Sequence, residues 1–183
     1  MALPFIAGLA TAAFLFPSWR RSTYTQSEDR EYYDELDVPI KPRSGAVFGI
    51  AWFILYILLS ISIGVWFAKS NDAVLESSIY TTTYIFVLVN FVANKLWDVL
   101  FFEYRNKIAA VVDAAILWIT AIVVVALWAN TDASYTVPIV LWSIYIVWLT
   151  YAMVLSIWIA AKGSPKATWG DPNYAQAVMN GET

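Results

Sequence analysis

The chain has 183 residues, 60% of them apolar, 17% aromatic and only 14% charged, with a formal net charge of −3 and a mean hydropathy of +0.61. A soluble domain carries about 25% charged residues, so a water-exposed globule is excluded, as are a disordered chain and, with no basic face, a nucleic-acid partner. There is neither cysteine nor histidine, which removes disulfides, thiol catalysis, zinc sites, histidine acid–base chemistry and a His-ligated haem.

Five apolar runs follow one another at residues 2–19, 46–68, 79–102, 108–129 and 137–161. A helix crosses the ~30 Å hydrocarbon layer with about 20 residues, so the last four are each long enough to span. The first is shorter and carries Pro4, Gly8 and Pro17. It has no basic stretch before its apolar core and is read as a retained helix, not a cleaved leader. The expected fold is an all-α membrane protein, integral and multi-pass, with a five-transmembrane-helix bundle over residues 1–162 and a polar tail over 163–183. Arg20, Arg21, Arg30, Lys41 and Arg43 in the first loop, Arg105 and Lys107 in the third, and Lys162 and Lys166 in the tail fall on one side, against Lys69 alone on the other. The positive-inside rule then puts the N-terminus outside and the C-terminus inside.

The loop over residues 20–45 is long. Its acidic stretch Ser27–Asp37 contains Tyr32, Tyr33 and Leu36, which are apolar enough to fold back onto the bundle, and Pro39 and Pro42 stiffen its approach to the second span. A lid and a solvated connector are both open readings.

In lipid, small and polar residues hold helices together. The second span carries Gly45, Gly49, Trp52, Tyr56, Ser60 and Gly64 at i+3/i+4 spacing. Trp52 and Tyr56 either fill the bundle core or line a slot for a flat ligand. The third span places Asn90, Asn94, Trp97, Asp98 and Phe101 on one face, with Lys95 beside them. A charge at the helix centre costs ~2.5–3.5 kcal/mol to insert, so Lys95 is expected to contact Asp98 or Asp113 of the fourth span. Such a contact can hold helices together, line a proton or ion path, or meet a ligand. The fifth span begins near Pro138 and carries Trp142, Tyr145, Leu149, Ala152, Ser156 and Ala160 on one side. Trp19, Trp66, Trp128 and Trp158 lie near helix ends and are expected to anchor at the membrane interface, while Trp118 and Trp148 could face either way. No phosphate-binding loop, nucleophile elbow or metalloprotease pattern occurs.

Three blocks of residues give the chain a family likeness. Tyr32-Tyr33 and Leu36 lead toward Val47-Phe48 and then Trp52-Phe53-Ile54-Leu55-Tyr56; Asn94, Trp97, Phe101 and Phe102 keep an N-x-x-W-x-x-x-F-F spacing; Pro138 and Trp142 open the last span. With Asp113 in the fourth span, this pattern resembles the tryptophan-rich sensory protein / translocator protein (TspO/MBR) family over about residues 30–160. The sequence departs from the family at Arg43 and Ser44 (a double proline), Ala46 (a Trp), Thr150 (an Asn) and Ile146 (a small residue), and it adds the charges Lys95 and Asp98.

The resemblance implies a five-helix bundle, often a homodimer, with a pocket open toward the first loop. Porphyrins and other flat apolar molecules are the implied ligands, and tetrapyrrole transport, sensing or degradation the implied roles. Carried over, the ligand-binding residues are Trp52, Tyr56, Asn94, Trp97, Trp142 and Ile146, capped by Tyr32 and Tyr33. Asn94 would meet a pyrrole or carboxylate, and Lys41 or Arg43 the propionates. With no His or Cys to ligate iron, a metal-free porphyrin is the expected ligand and no cofactor is required. Counted from the inner end, Trp142 lies far deeper than Trp52, so either the pocket is tall or one of them lies outside it. Two rival functions stand beside this one. Ile146 and Tyr145 could close the pocket of a structural or accessory subunit in a membrane assembly, or Lys95, Asp98 and Asp113 could serve a small-molecule or ion transporter.

Overall fold

A computed structural model describes residues 6–15, 32–33, 36, 38, 46–70, 78–131 and 135–162, with the isolated positions 176 and 179. The tail beyond 162, most of the loop over 20–45, and Trp19, Lys41, Arg43 and Gly45 lie outside the described residues. All described elements are helical. Helix α1 covers Ile6–Leu15, α2 Ala46–Lys69, α3 Ser78–Asp98, α4 Lys107–Ala129 and α5 Thr136–Lys162. Four of these are long and apolar enough to cross a membrane, and α1 is a shorter apolar helix. Their outer faces are lined by exposed Ile54, Ile85, Val92, Val112, Ile119 and Val147, as a lipid-facing surface requires. The chain is an integral, multi-pass membrane protein.

α3 packs on α4, α4 on α5, and α5 on α2. α1 lies across α2 and α3. Gly8 permits its approach to α2, because a Cβ there would stand 2.9 Å from the Ser60 carbonyl oxygen and 3.9 Å from the Gly64 Cα. This is close small-residue packing of the kind that joins helices in lipid. The polar stripe of α2 is therefore shared between two neighbours. Each i+4 step turns about 40° past a full revolution, so Trp52 and Tyr56 point into the bundle while Ser60 and Gly64 have rotated toward α1.

Lys95 does not pair with Asp113. Its Nζ lies 3.5 Å from the Leu15 carbonyl oxygen and 5.3 Å from the centre of the Phe14 ring. The cation sits on the face of α3 that α1 covers and meets the negative end of that helix. Asp113 is buried on α4 with Oδ2 unpartnered among the described residues. Of the two contacts expected of Lys95, the one to Asp113 is therefore not formed.

α3 does not end as an α-helix. Val99–Glu103 form a π-helical turn, with the Tyr104 amide donating to the Val99 carbonyl at 3.0 Å. Arg105 adopts a positive φ of 50°. The Asn106 side chain then caps α4 by accepting from the Ala109 amide at 3.0 Å. The wider turn brings Phe101 and Phe102 inward together; they are 2% and 5% exposed.

The interior holds two aromatic clusters, one toward each end of the bundle. At the end where α2 and α4 finish, Trp66, Trp128 and Trp142 pack ring against ring. Trp66 and Trp128 are each 1% exposed, so they are core residues and not interface anchors. Their burial follows from helix phase: Trp66 lies roughly four turns after Trp52 and so returns to the inward face. Trp158 is 39% exposed with the Lys162 ammonium 5.2 Å from its ring, the arrangement expected of an anchor.

Candidate functional site

The second cluster, at the end where α3 turns into α4, does not close on itself. It surrounds an internal chamber of about 50 Å³. One wall is a flat slab: Trp97 stacks on Phe101 at 4.7 Å with 9° between the planes, and Phe102 meets Phe101 edge-on at 4.9 Å. The i, i+4 spacing of Trp97 and Phe101 puts their rings on one face, and the π-turn adds Phe102. Facing the slab, Trp52 of α2 and Trp148 of α5 stand edge to face at 6.2 Å and 86°. Ala114, Ala152 and Ser156 line the remainder. Their small side chains leave the space that the rings do not fill.

Described residues of the first loop pack against the chamber. Tyr33 lines it and packs edge-on against Phe48 at 6.0 Å. Tyr32 sits one layer out, edge-on against Phe101 at 5.7 Å, with the Arg105 guanidinium 5.0 Å from its ring. Tyr32, Tyr33, Leu36 and Val38 are all buried. The described part of this loop is thus folded onto the bundle, in contact with the turn between α3 and α4.

The deep side of the chamber is a hydrogen-bonded network. Tyr56 Oη donates to Asn94 Oδ1 at 3.0 Å, and Asn94 Nδ2 donates to Tyr145 Oη at 3.2 Å. Tyr145 Oη donates to Asn90 Oδ1 at 3.2 Å. Asn90 Nδ2 donates to the Leu117 carbonyl at 2.8 Å and to Thr120 Oγ1 at 2.9 Å. Four helices are tied together by groups that would each be costly to leave unpaired in a dry interior. Asn94 has one amide hydrogen left over, so its main task is structural and only a remnant of its capacity faces the chamber.

Of the residues singled out from sequence, Trp52, Tyr56, Asn94, Trp97, Tyr33 and Asp98 line the chamber. Tyr32 reinforces it from behind. Trp142 and Ile146 are elsewhere. Trp142 is 0% exposed, wedged between Trp128 at 5.2 Å and Phe91 at 6.1 Å; its place just under one turn before Tyr145 puts it on the far side of the network from the chamber, in the opposite cluster. Ile146 is half-buried and packs against that same cluster. The depth mismatch between Trp52 and Trp142 is resolved in favour of a short chamber. Asp113 and Lys95 do not line it either. Sequence reasoning left Trp148 undecided, although its spacing to Ala152 and Leu155 marks an inward face, and it did not assign Phe48, whose ring lies 6.0 Å from Trp148.

The sequence profile of the TspO/MBR family matches residues 3–161. A Bacillus subtilis protein described as uncharacterized membrane protein YtaB is 29% identical over 151 residues, covering 81% of this chain and 94% of that one. Protein CrtK of Rhodobacter capsulatus is 27% identical over 142 residues (75% and 82% of the two chains). The tryptophan-rich protein TspO of Bacillus cereus is 24% identical over 128 residues (68% and 80%). The match runs from α1 through nearly all of α5 and so takes in both aromatic clusters and the network between them: the chain belongs to the TspO/MBR family.

Proposed function

We propose that this protein is a membrane receptor or translocator for a flat, largely apolar ligand of the tetrapyrrole class, held in the chamber between the Trp97–Phe101 slab and Trp52. The slab carries this reading. Two nearly parallel rings offer a planar π-surface, with Trp52 and Trp148 edge-on across the gap and Tyr33 above. With no His or Cys in the chain to bind iron, the residues favour a metal-free ring. The chamber's volume of about 50 Å³ holds a few waters at most, so a tetrapyrrole is seated only when a wall moves. The first loop is the lid on this reading.

The reading includes five spans, with α1 as the first, the N-terminus outside and the C-terminus inside. Arg105, Lys107 and Lys162 at one end of the bundle against Lys69 at the other support it. It also includes a homodimer. The bundle over residues 1–162 is the binding unit and the tail over 163–183 an appendage.

Titration with protoporphyrin IX in lipid nanodiscs tests the site. The expected result is saturable quenching of Trp fluorescence that is lost when Trp52→Ala and Trp97→Ala are combined. Unchanged quenching in that correctly folded double variant rejects the chamber as the site. The small volume also favours a second reading, an accessory subunit of a membrane assembly with its pocket shut. A native mass spectrum showing a stoichiometric partner and no bound small molecule selects that one. An ion path through Asp113 predicts liposome flux that Asp113→Asn abolishes.

A further inference from the structure

The chamber is apolar over most of its wall, but its lining includes the carboxylate residue Asp98. Asp98 follows Asn94 by one turn of α3 and so shares its inward face. It is 6% exposed. It stands where α3 passes into the π-helical turn, yet its side chain does not cap that turn. Ser156 of α5, also in the lining, is 4% exposed and commits its hydroxyl hydrogen to the Ala152 carbonyl at 2.8 Å. It therefore presents only acceptor lone pairs to the space. Tyr56 Oη is in the same state, its hydrogen being given to Asn94. Among the described lining residues there is one acidic side chain and no basic one.

The rings point to the same kind of guest. The face of an indole or phenyl ring is the negative end of its quadrupole and attracts a cation within about 6 Å of the ring centre, more strongly where water is excluded. The Trp97–Phe101 slab, with Asp98 next to Trp97 in the chain, sets such a face beside a carboxylate. In a lipid-embedded interior a carboxylate is favoured when a positive group shares its cavity. We propose that Asp98 is the specificity-determining residue of the chamber, which selects flat apolar molecules that carry a positively charged nitrogen at one edge and disfavours a carboxylate at that edge. A tetrapyrrole meets this requirement through a basic substituent, and any carboxylates it carries are turned away from Asp98. This inference rests on the chamber being the binding site and narrows the class of ligand that the site takes.

Three porphyrins with one ring and three charges separate the selectivity from the site. Protoporphyrin IX carries two carboxylates, its dimethyl ester is uncharged at the same positions, and its bis-amide with N,N-dimethylethylenediamine places a cationic amine on each arm. Each is titrated by Trp quenching in phosphatidylcholine nanodiscs, whose headgroups have no net charge, with partitioning into protein-free nanodiscs subtracted. The bis-amide is expected to bind about tenfold more tightly than the ester, the scale of one charge-assisted hydrogen bond, and protoporphyrin IX more weakly than the ester. Asp98→Asn keeps the shape of the side chain and removes its charge, and the ratio of bis-amide to ester affinity is expected to fall to within about twofold of unity. Asp98→Glu restores the charge and is expected to restore the preference.

If the three porphyrins bind wild-type protein equally, or protoporphyrin IX binds most tightly, while the Trp52→Ala, Trp97→Ala variant binds none of them, the chamber stands and the charge selectivity is refuted. This comparison needs no substitution at Asp98. A preference for the bis-amide that persists in correctly folded Asp98→Asn protein also refutes the assignment, because the rings alone would then supply it. If none of the three shows saturable binding to wild-type protein, the site and its selectivity fall together. Thermal unfolding of each variant in detergent identifies the folded ones.

Discussion

The two ends of the bundle use the same aromatic side chains to opposite effect. At one end Trp66 and Tyr80 approach to 4.9 Å, Trp128 and Trp142 to 5.2 Å, and Trp66 and Trp128 to 5.6 Å. Large rings face large rings, edges meet faces, and the space is filled. At the other end Trp97 and Phe101 are stacked as tightly, but Ala114, Ala152 and Ser156 share the lining with the rings, and a void remains. The difference is made by the small residues set among the rings. An aromatic count alone does not distinguish a plug from a pocket; the residue one helix away does.

Substitutions at the two ends should therefore separate stability from binding. Trp142→Ala is expected to have the largest effect on stability, a loss of about 3–5 kcal/mol, with ligand quenching per folded molecule unchanged. Thermal or denaturant unfolding in detergent checks the first part and titration the second. If Trp142→Ala abolished binding while leaving the fold intact, the division between plug and chamber would be wrong. Asn94→Leu removes one hydrogen bond each from Tyr56 and Tyr145 at the boundary between the ends and is expected to cost about 1–3 kcal/mol, visible as an earlier unfolding transition. Ala152→Phe should convert the pocket into a second plug. It is expected to abolish ligand quenching with a change in stability of roughly 1–3 kcal/mol from overpacking. Lys95→Met is expected to have the smallest effect, about 1 kcal/mol or less from the lost charge at the end of α1, with binding untouched.

Much of this was legible in the sequence because the bilayer imposes simple rules. Hydropathy over 20-residue windows located the four long helices to within a residue or so at most ends, and the third span to within its last turn. The i+4 spacing of Trp97 and Phe101, and of Trp52 and Tyr56, placed those side chains on inner faces. What escaped was set by helices meeting one another. Trp66 and Trp128 lie at helix ends, where a Trp usually meets headgroups, but their neighbours in space are each other. Of the two carboxylates matched to Lys95, Asp113 is not its partner, and the Leu15 carbonyl of α1, which lies 3.5 Å from its Nζ, was not visible in one dimension. The π-turn that turns Phe102 inward has no spacing signature. Nor does chamber size, which depends on which alanines oppose which rings.

The meshed indoles at one end bear on how cargo could move. Trp66, Trp128 and Trp142 stand across the path from the chamber to the far end of the bundle, so among the described residues no straight conduit runs along the bundle axis. On the proposed reading, a ligand held beside Trp97 arrives and departs within a single leaflet or at its adjoining aqueous surface. That geometry suits exchange, surveillance or hand-over on one side of the bilayer, and a translocator would have to part these three rings.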